Sequence, residues 1–182
     1  MQTASGRKFW PLDPKPEDVD IEDIAHALAN ICRFGGHTTE FYSVAQHSLH
    51  TRAIVQRVLG GLHPKEEFAA LLHDASEAYL GDVIRPLKVH WEFTFYRRIE
   101  ARVQAVINER FGLPADAHRS EMVRYADEVA LATEKRDLLR ESEGARWQTQ
   151  AAPDPDSVHA MPWSQPTAKA WFLKTFRELG GV

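Results

Sequence analysis

Four side chains with lone pairs to offer define the chemistry open to this sequence: His47, the adjacent pair His73-Asp74, and Asp127. The pair lies in Leu71-Leu72-His73-Asp74-Ala75-Ser76-Glu77-Ala78-Tyr79-Leu80, an otherwise apolar run of helical pattern. Residues three or four apart share a helix face, so Glu77 stands beside both Asp74 and His73. Three ionisable groups where the pattern predicts core are costly to bury uncompensated. A bound metal ion is the simplest compensation. Two imidazoles with two carboxylates suit Mn, Fe, Co, Ni or Zn and leave coordination positions for water and substrate. Taken singly, each residue has a plainer reading as a core histidine or a surface acid. Taken together, those readings require several unrelated buried polar groups.

The elements that must position these groups follow from periodicity. After a proline-rich lead-in over Met1 to Asp18, Asp20 caps a first helix built on Ile21, Ile24, Leu28 and Ile31, with Asp23 near its amide-rich end. That helix runs to about Phe34 and stops at Gly35-Gly36. Ser43 caps a second, whose inner stripe is Val44, His47, Thr51, Ile54 and Val58, with His50 off the stripe and expected in solvent. A third helix begins at Glu66, carries the central run and closes near Gly81, before the turn from Gly81 to Lys88. The fourth, Trp91 to Phe111, turns Phe95, Ile99, Val103, Val106 and Phe111 inward. The fifth, Ser120 to Glu141, aligns Val123, Asp127, Ala130, Leu131, Glu134 and Leu138. Residues 142–166 read as loop, and Thr167 to Leu179 as a last amphipathic helix offering Ala170, Trp171 and Phe172. No β-rich stretch appears. The expectation is an all-α bundle of about six helices in a single domain spanning residues 1–182.

Composition narrows the function classes. The hydrophobic fraction of 43% is ordinary, and no run is long enough to span a membrane. Met1 to Trp10 lacks the apolar segment of a signal peptide. The single cysteine, Cys32, precludes an internal disulfide and fits a reducing cytoplasm. A net charge of −4 argues against a nucleic-acid polymer as partner and leaves room for a small anion in a local cationic pocket.

The ordered series His47, His73-Asp74, Asp127 resembles the HD-domain superfamily of metal-dependent phosphohydrolases. The match extends to Arg33-Phe34, Gln46-His47-Ser48, His73-Asp74-Ala75-Ser76-Glu77, Gly81-Asp82 with Pro86 and Lys88, and Ala126-Asp127, which look like the bacterial 5′-deoxynucleotidase group. The segment from Asn30 to Ala45 is closer still to small HD hydrolases of phages and prophages. The resemblance is strong over residues 7–140 and weak beyond.

The resemblance implies His47, His73, Asp74 and Asp127 as ligands of one divalent transition metal ion. Glu77 would move a proton or orient the attacking water. Asp82 would lie near the sugar or the water, its alternative being a carboxylate bonded to its own turn. Arg33 would contact the phosphate with its donor fork, its alternative being a helix-end cation. Phe34 replaces a tryptophan of the deoxynucleotidases and would stack on base or sugar. His37 would face the pocket in part, and Lys88 would be a second phosphate partner or a solvated lysine.

The function so implied is hydrolysis of (deoxy)nucleoside 5′-phosphates by metal-activated water. A 5′-deoxynucleotidase comes first; a dNTP triphosphohydrolase releasing tripolyphosphate comes second, favoured if cations such as Arg85, Lys88 or Arg124 surround the metal. A nucleotide sensor that binds without turnover is the third reading. The family implies a homo-oligomer, with Trp91, Phe95, Trp171 and Phe172 available to the core or to an interface.

Overall fold

The computed structural model describes residues 1–141, 149, 151–156, 158 and 163–181. Among these residues it is all-α, with eight α-helices and no strand. They are α1 (Ile21–Asn30), α2 (Val44–Leu59), α3 (Pro64–Leu71), α4 (Glu77–Leu80), α5 (Arg85–Lys88), α6 (Thr94–Arg110), α7 (Glu121–Leu138) and α8 (Gln165–Glu178). Part of the stretch read as loop, including Pro162, lies outside the described residues.

Local sequence sets the helix starts. The Asp20 carboxylate accepts from the Glu22 N–H at the head of α1. Ser43 and Gln46 form a reciprocal capping box on α2, the Ser43 hydroxyl accepting from the Gln46 N–H and the Gln46 carbonyl accepting from the Ser43 N–H. Ser43→Ala is expected to cost about 1 kcal/mol of stability, read from denaturant unfolding, because the buried Gln46 N–H loses its acceptor. The Ser120 and Ser164 hydroxyls cap α7 and α8 by accepting from the Val123 and Thr167 N–H, without the reciprocal bond.

α2 is the central helix, packed on α1, α3, α7 and α8. One core gathers Phe9, Ile24, Leu28, Leu71, Leu72, Ile107, Phe172 and Phe176 around α1, α6 and α8. Phe9, Phe172 and Phe176 are fully buried, each contributing about 1.5–3 kcal/mol of burial. Phe9 stacks on Tyr79 at 3.7 Å, tying the lead-in to α4. A second core joins α2, α3 and α7 through Ile54, Val55, Ala69, Ala70, Ala126 and Ala130. Its alanines let the three helices approach closely, since interaxial distance follows side-chain size at the contact. That proximity brings short ligand side chains from α2 and α7 within reach of each other.

Several expectations are corrected. α1 ends at Asn30, not near Phe34, because the chain turns extended to pair with the entry to α2: the Arg33 N–H donates to Tyr42 O and the Val44 N–H to Ile31 O. The expected third helix is two, α3 and α4, separated at 72–76. Phe95 is exposed; the buried face of α6 is Val103, Gln104, Ile107 and Asn108. Val58 is exposed as well. Asp23 lies in the first turn of α1 as expected, and is also buried, accepting from the Ser5 N–H and hydroxyl. His50 is largely buried, its Nε2 3.5 Å from the Asp154 carboxylate.

Candidate metal centre

His47 projects from the first turns of α2, Asp127 from α7, and the His73-Asp74 pair from the break between α3 and α4. Neighbours on a regular helix diverge by about 100°. The break removes that constraint, and His73 Nε2 comes within 3.3 Å of Asp74 Oδ2. His47 Nε2 is 3.1 Å from His73 Nε2, 3.5 Å from Asp74 Oδ2 and 3.2 Å from Asp127 Oδ1. His73 Nε2 is 3.8 Å from Asp127 Oδ1. Ligand atoms of His47, His73 and Asp127 all lie within 4.8 Å of one another.

The tautomers of the two histidines follow from their other nitrogens. His47 Nδ1 is 2.6 Å from Glu134 Oε1, and His73 Nδ1 is 2.7 Å from Ala70 O. A carboxylate and a carbonyl only accept, so both Nδ1 atoms donate and both neutral rings present the Nε2 lone pair inward. In the neutral form that metal binding requires, two nitrogen and two oxygen lone pairs converge. Two donors each about 2.1 Å from one ion stand about 3.0 Å apart at a right angle and about 3.4 Å at the tetrahedral angle. The separations of 3.1, 3.2 and 3.3 Å fall in that range and those of 3.5 and 3.8 Å correspond to angles wider than tetrahedral, so the residues present fit a divalent transition cation.

Electrostatics around the cluster make the same demand. Burial opposes a charge on His73, yet Asp74 and Asp127 outweigh it and hold its pKa well above the imidazole value. For His47, burial and Arg33 work downward, and Glu134 and Asp127 reverse them. Burial would raise the carboxyl of Asp127, but the two histidines hold it well below its usual range. Protons substitute for a cation here, and metal binding must displace them.

The other expected residues divide. Glu77, 3% exposed, is held well above the carboxyl range by burial, then by Asp74 and Asp82, against the pull of Lys88 and Arg33. Its Oε2 is buried without a hydrogen-bond partner. Asp82 is half-buried, and burial followed by Asp74 raises its pKa. Arg33 lies against the cluster, but its main partner is Glu134 at 3.0 Å, with Asp74 at 3.8 Å. Its helix-end role is overturned, since α1 ends earlier. Phe34 takes a left-handed conformation (φ 56°), a strain of about 1–2 kcal/mol for a side-chain-bearing residue. That turn lays its ring 5.4 Å from the Arg33 guanidinium. His37 is exposed. Lys88 is neither solvated nor free: it pairs with Glu100 at 2.6 Å and stands 3.8 Å from Glu77.

Sequence reasoning missed three residues. Glu134, fully buried, holds both His47 and Arg33 and faces the Tyr42 hydroxyl. It sits on the Asp127 stripe of α7, seven residues on, and that spacing was its signal. Glu100 and Gln104 lie four apart on α6, where polar residues interrupt a buried face.

No protein-family model matches the chain. Uncharacterized protein YfdR of Escherichia coli (strain K12) is 39% identical over 181 residues, 98% of this chain and 94% of its own length. Uncharacterized protein RCAP_rcc00048 of Rhodobacter capsulatus is 39% identical over 165 residues, 88% of this chain and 84% of its own. Identity at that level along nearly the full length of both chains places this protein in the family of YfdR and RCAP_rcc00048.

Proposed function

We propose that the chain is an HD-type metal-dependent phosphohydrolase acting on (deoxy)nucleoside 5′-phosphates, and specifically a 5′-deoxynucleotidase. The convergence of four lone pairs from His47, His73, Asp74 and Asp127, beside a buried Glu77, carries this reading. A cation held by those residues supplies Lewis acidity toward water and phosphoryl oxygen.

The chain's own groups do the rest. Glu77, whose carboxyl pKa is raised by burial and then by Asp74 and Asp82, would give its proton to the sugar 5′-oxygen as the bond from phosphorus to that oxygen breaks. Water adds its oxygen to phosphorus, and the proton it releases returns to the Glu77 carboxylate. Arg33, held in place by Glu134, adds positive potential beside the phosphate. Phe34 offers an aromatic face at the same edge. Glu77→Gln is expected to keep its metal and lose at least about 100-fold in kcat, measured with metal content quantified on the same sample.

The ion pairs favour a monophosphate over a triphosphate. Of the cations that would favour a triphosphate, Lys88 is engaged by Glu100 and Arg85 by Glu128 at 2.8 Å, while Arg124 is exposed on α7. A tripolyphosphate chain would need positive charge that these carboxylates neutralise. Among the described residues no helix is long and apolar enough to cross a membrane. Exposed Val89, Trp91 and Phe95 support association of copies into a homo-oligomer.

The test is product analysis. Metal-reconstituted protein is incubated with dNMPs and dNTPs, and products are separated by chromatography. Nucleoside and orthophosphate from monophosphates are expected. Tripolyphosphate from a dNTP would replace this reading with pool editing, and tight metal binding without turnover would replace it with a sensor.

A further inference from the structure

The break that separates α3 from α4 is held open by a residue far away in sequence. In an uninterrupted helix the Ser76 N–H would donate to Leu72 O, four residues back. Here the Gln104 carboxamide lies between them. Gln104 Oε1 accepts from the Ser76 N–H at 2.9 Å, and Gln104 Nε2 donates to Leu72 O at 2.8 Å. Both groups are thereby satisfied without the helical bond. Around the insertion the backbone runs in tighter three-residue turns: Ala75 N–H to Leu72 O at 3.1 Å and Glu77 N–H to Asp74 O at 3.0 Å. His73 and Asp74 are the residues inside this distorted turn.

The orientation of the amide is settled by its partners. Leu72 O only accepts and the Ser76 N–H only donates, so Gln104 is not reversible in place. Asn108, one turn along α6, accepts a further bond from Nε2 at 3.0 Å. Its own Nδ2 donates to Pro114 O and Ala115 O at 3.1 and 3.0 Å. Gln104 and Asn108 are each 1% exposed, so water does not compete for these bonds. α6 thus grips the turn of the ligand pair at one position and the chain entering α7, which carries Asp127, at the next.

We propose that Gln104 is a positioning residue for the metal centre: its carboxamide replaces the missing helical bond and fixes the angle at which His73 and Asp74 meet. This rests on the metal-centre reading and not on the identity of the substrate.

The experiment titrates cobalt(II) into wild type, Gln104→Met and Gln104→Glu, following the visible absorption of the bound ion, with far-UV circular dichroism as the control for folding. Gln104→Met keeps side-chain length and loses all three hydrogen bonds. It is expected to fold, to bind cobalt at least about tenfold more weakly, the loss typical when a group orienting metal ligands is removed, and to show a shifted absorption band. A folded Met variant with wild-type affinity and band would overturn the proposal and make Gln104 an ordinary core amide. If only the Glu variant folds, its band decides on the same terms. If neither folds, Gln104 determines the fold and not the site, and the proposal fails. Wild type that binds no cobalt would instead remove the metal centre itself, a distinct outcome.

Discussion

Asp74→Asn is expected to abolish the stabilisation that divalent metal gives this chain. Wild type at a free-metal concentration about 100 times Kd should gain about 2.7 kcal/mol over the chelator-treated protein. At this chain length that is a rise of roughly 5–10 °C in Tm. Asp74 Oδ2 lies 3.5 and 3.3 Å from the two imidazole Nε2 atoms. Asparagine at that position keeps the shape and removes the charge. The affinity loss should exceed the roughly 100-fold limit seen for groups that only orient ligands. Thermal unfolding with and without metal, alongside metal content of dialysed protein, checks it. An undiminished metal-dependent Tm shift in Asp74→Asn would remove Asp74 from the ligand set.

The second large effect is at Glu134. Its fully buried carboxylate accepts from His47 Nδ1 at 2.6 Å and from Arg33 at 3.0 Å. Glu134→Ala leaves the buried Arg33 with Asp74 at 3.8 Å as its nearest acid and frees His47 to change tautomer. Breaking a buried pair by removing one partner costs about 3–5 kcal/mol, and an orienting carboxylate is worth about 10–100-fold in metal affinity. Both losses should appear together, in denaturant unfolding and in metal titration. A stability change under about 1 kcal/mol would show that the charge on Arg33 is satisfied elsewhere.

Glu134 also sets an acid limit. Burial would raise its pKa, but Arg33 and then His47 bring it from 4.5 down to about 2. A carboxyl depressed on folding contributes stability that is complete above its unfolded pKa and is lost as pH falls toward the folded one. Wild type should therefore lose stability between about pH 4.5 and 2 more steeply than Glu134→Gln, as followed by unfolding at each pH.

Helix starts were legible where their causes are local: Asp20, Ser43 and Ser120 each accept from a backbone N–H within three residues, whereas α8 begins at Gln165 behind Ser164, ahead of the expected Thr167. The inward stripes were legible because helical periodicity itself reports burial, and it placed His47 and Asp127 on facing helices. The end of α1 was not legible. Ile31 continues the apolar spacing, but its carbonyl is taken by Val44, across the loop. His50 lay off the counted stripe, yet the chain around Asp154 covers it.

The sequence by itself determined the all-α class, the helix caps and the residue types able to meet at one cation, since these depend on neighbours within a turn or two. Tertiary structure alone decided which charges pair and where the central helix breaks. Arg33 finds Glu134 across 101 residues, and Gln104 enters the ladder of Ser76 from 28 residues away. Buried polar groups take whichever partner the packing brings within about 3 Å, and no local pattern encodes that meeting.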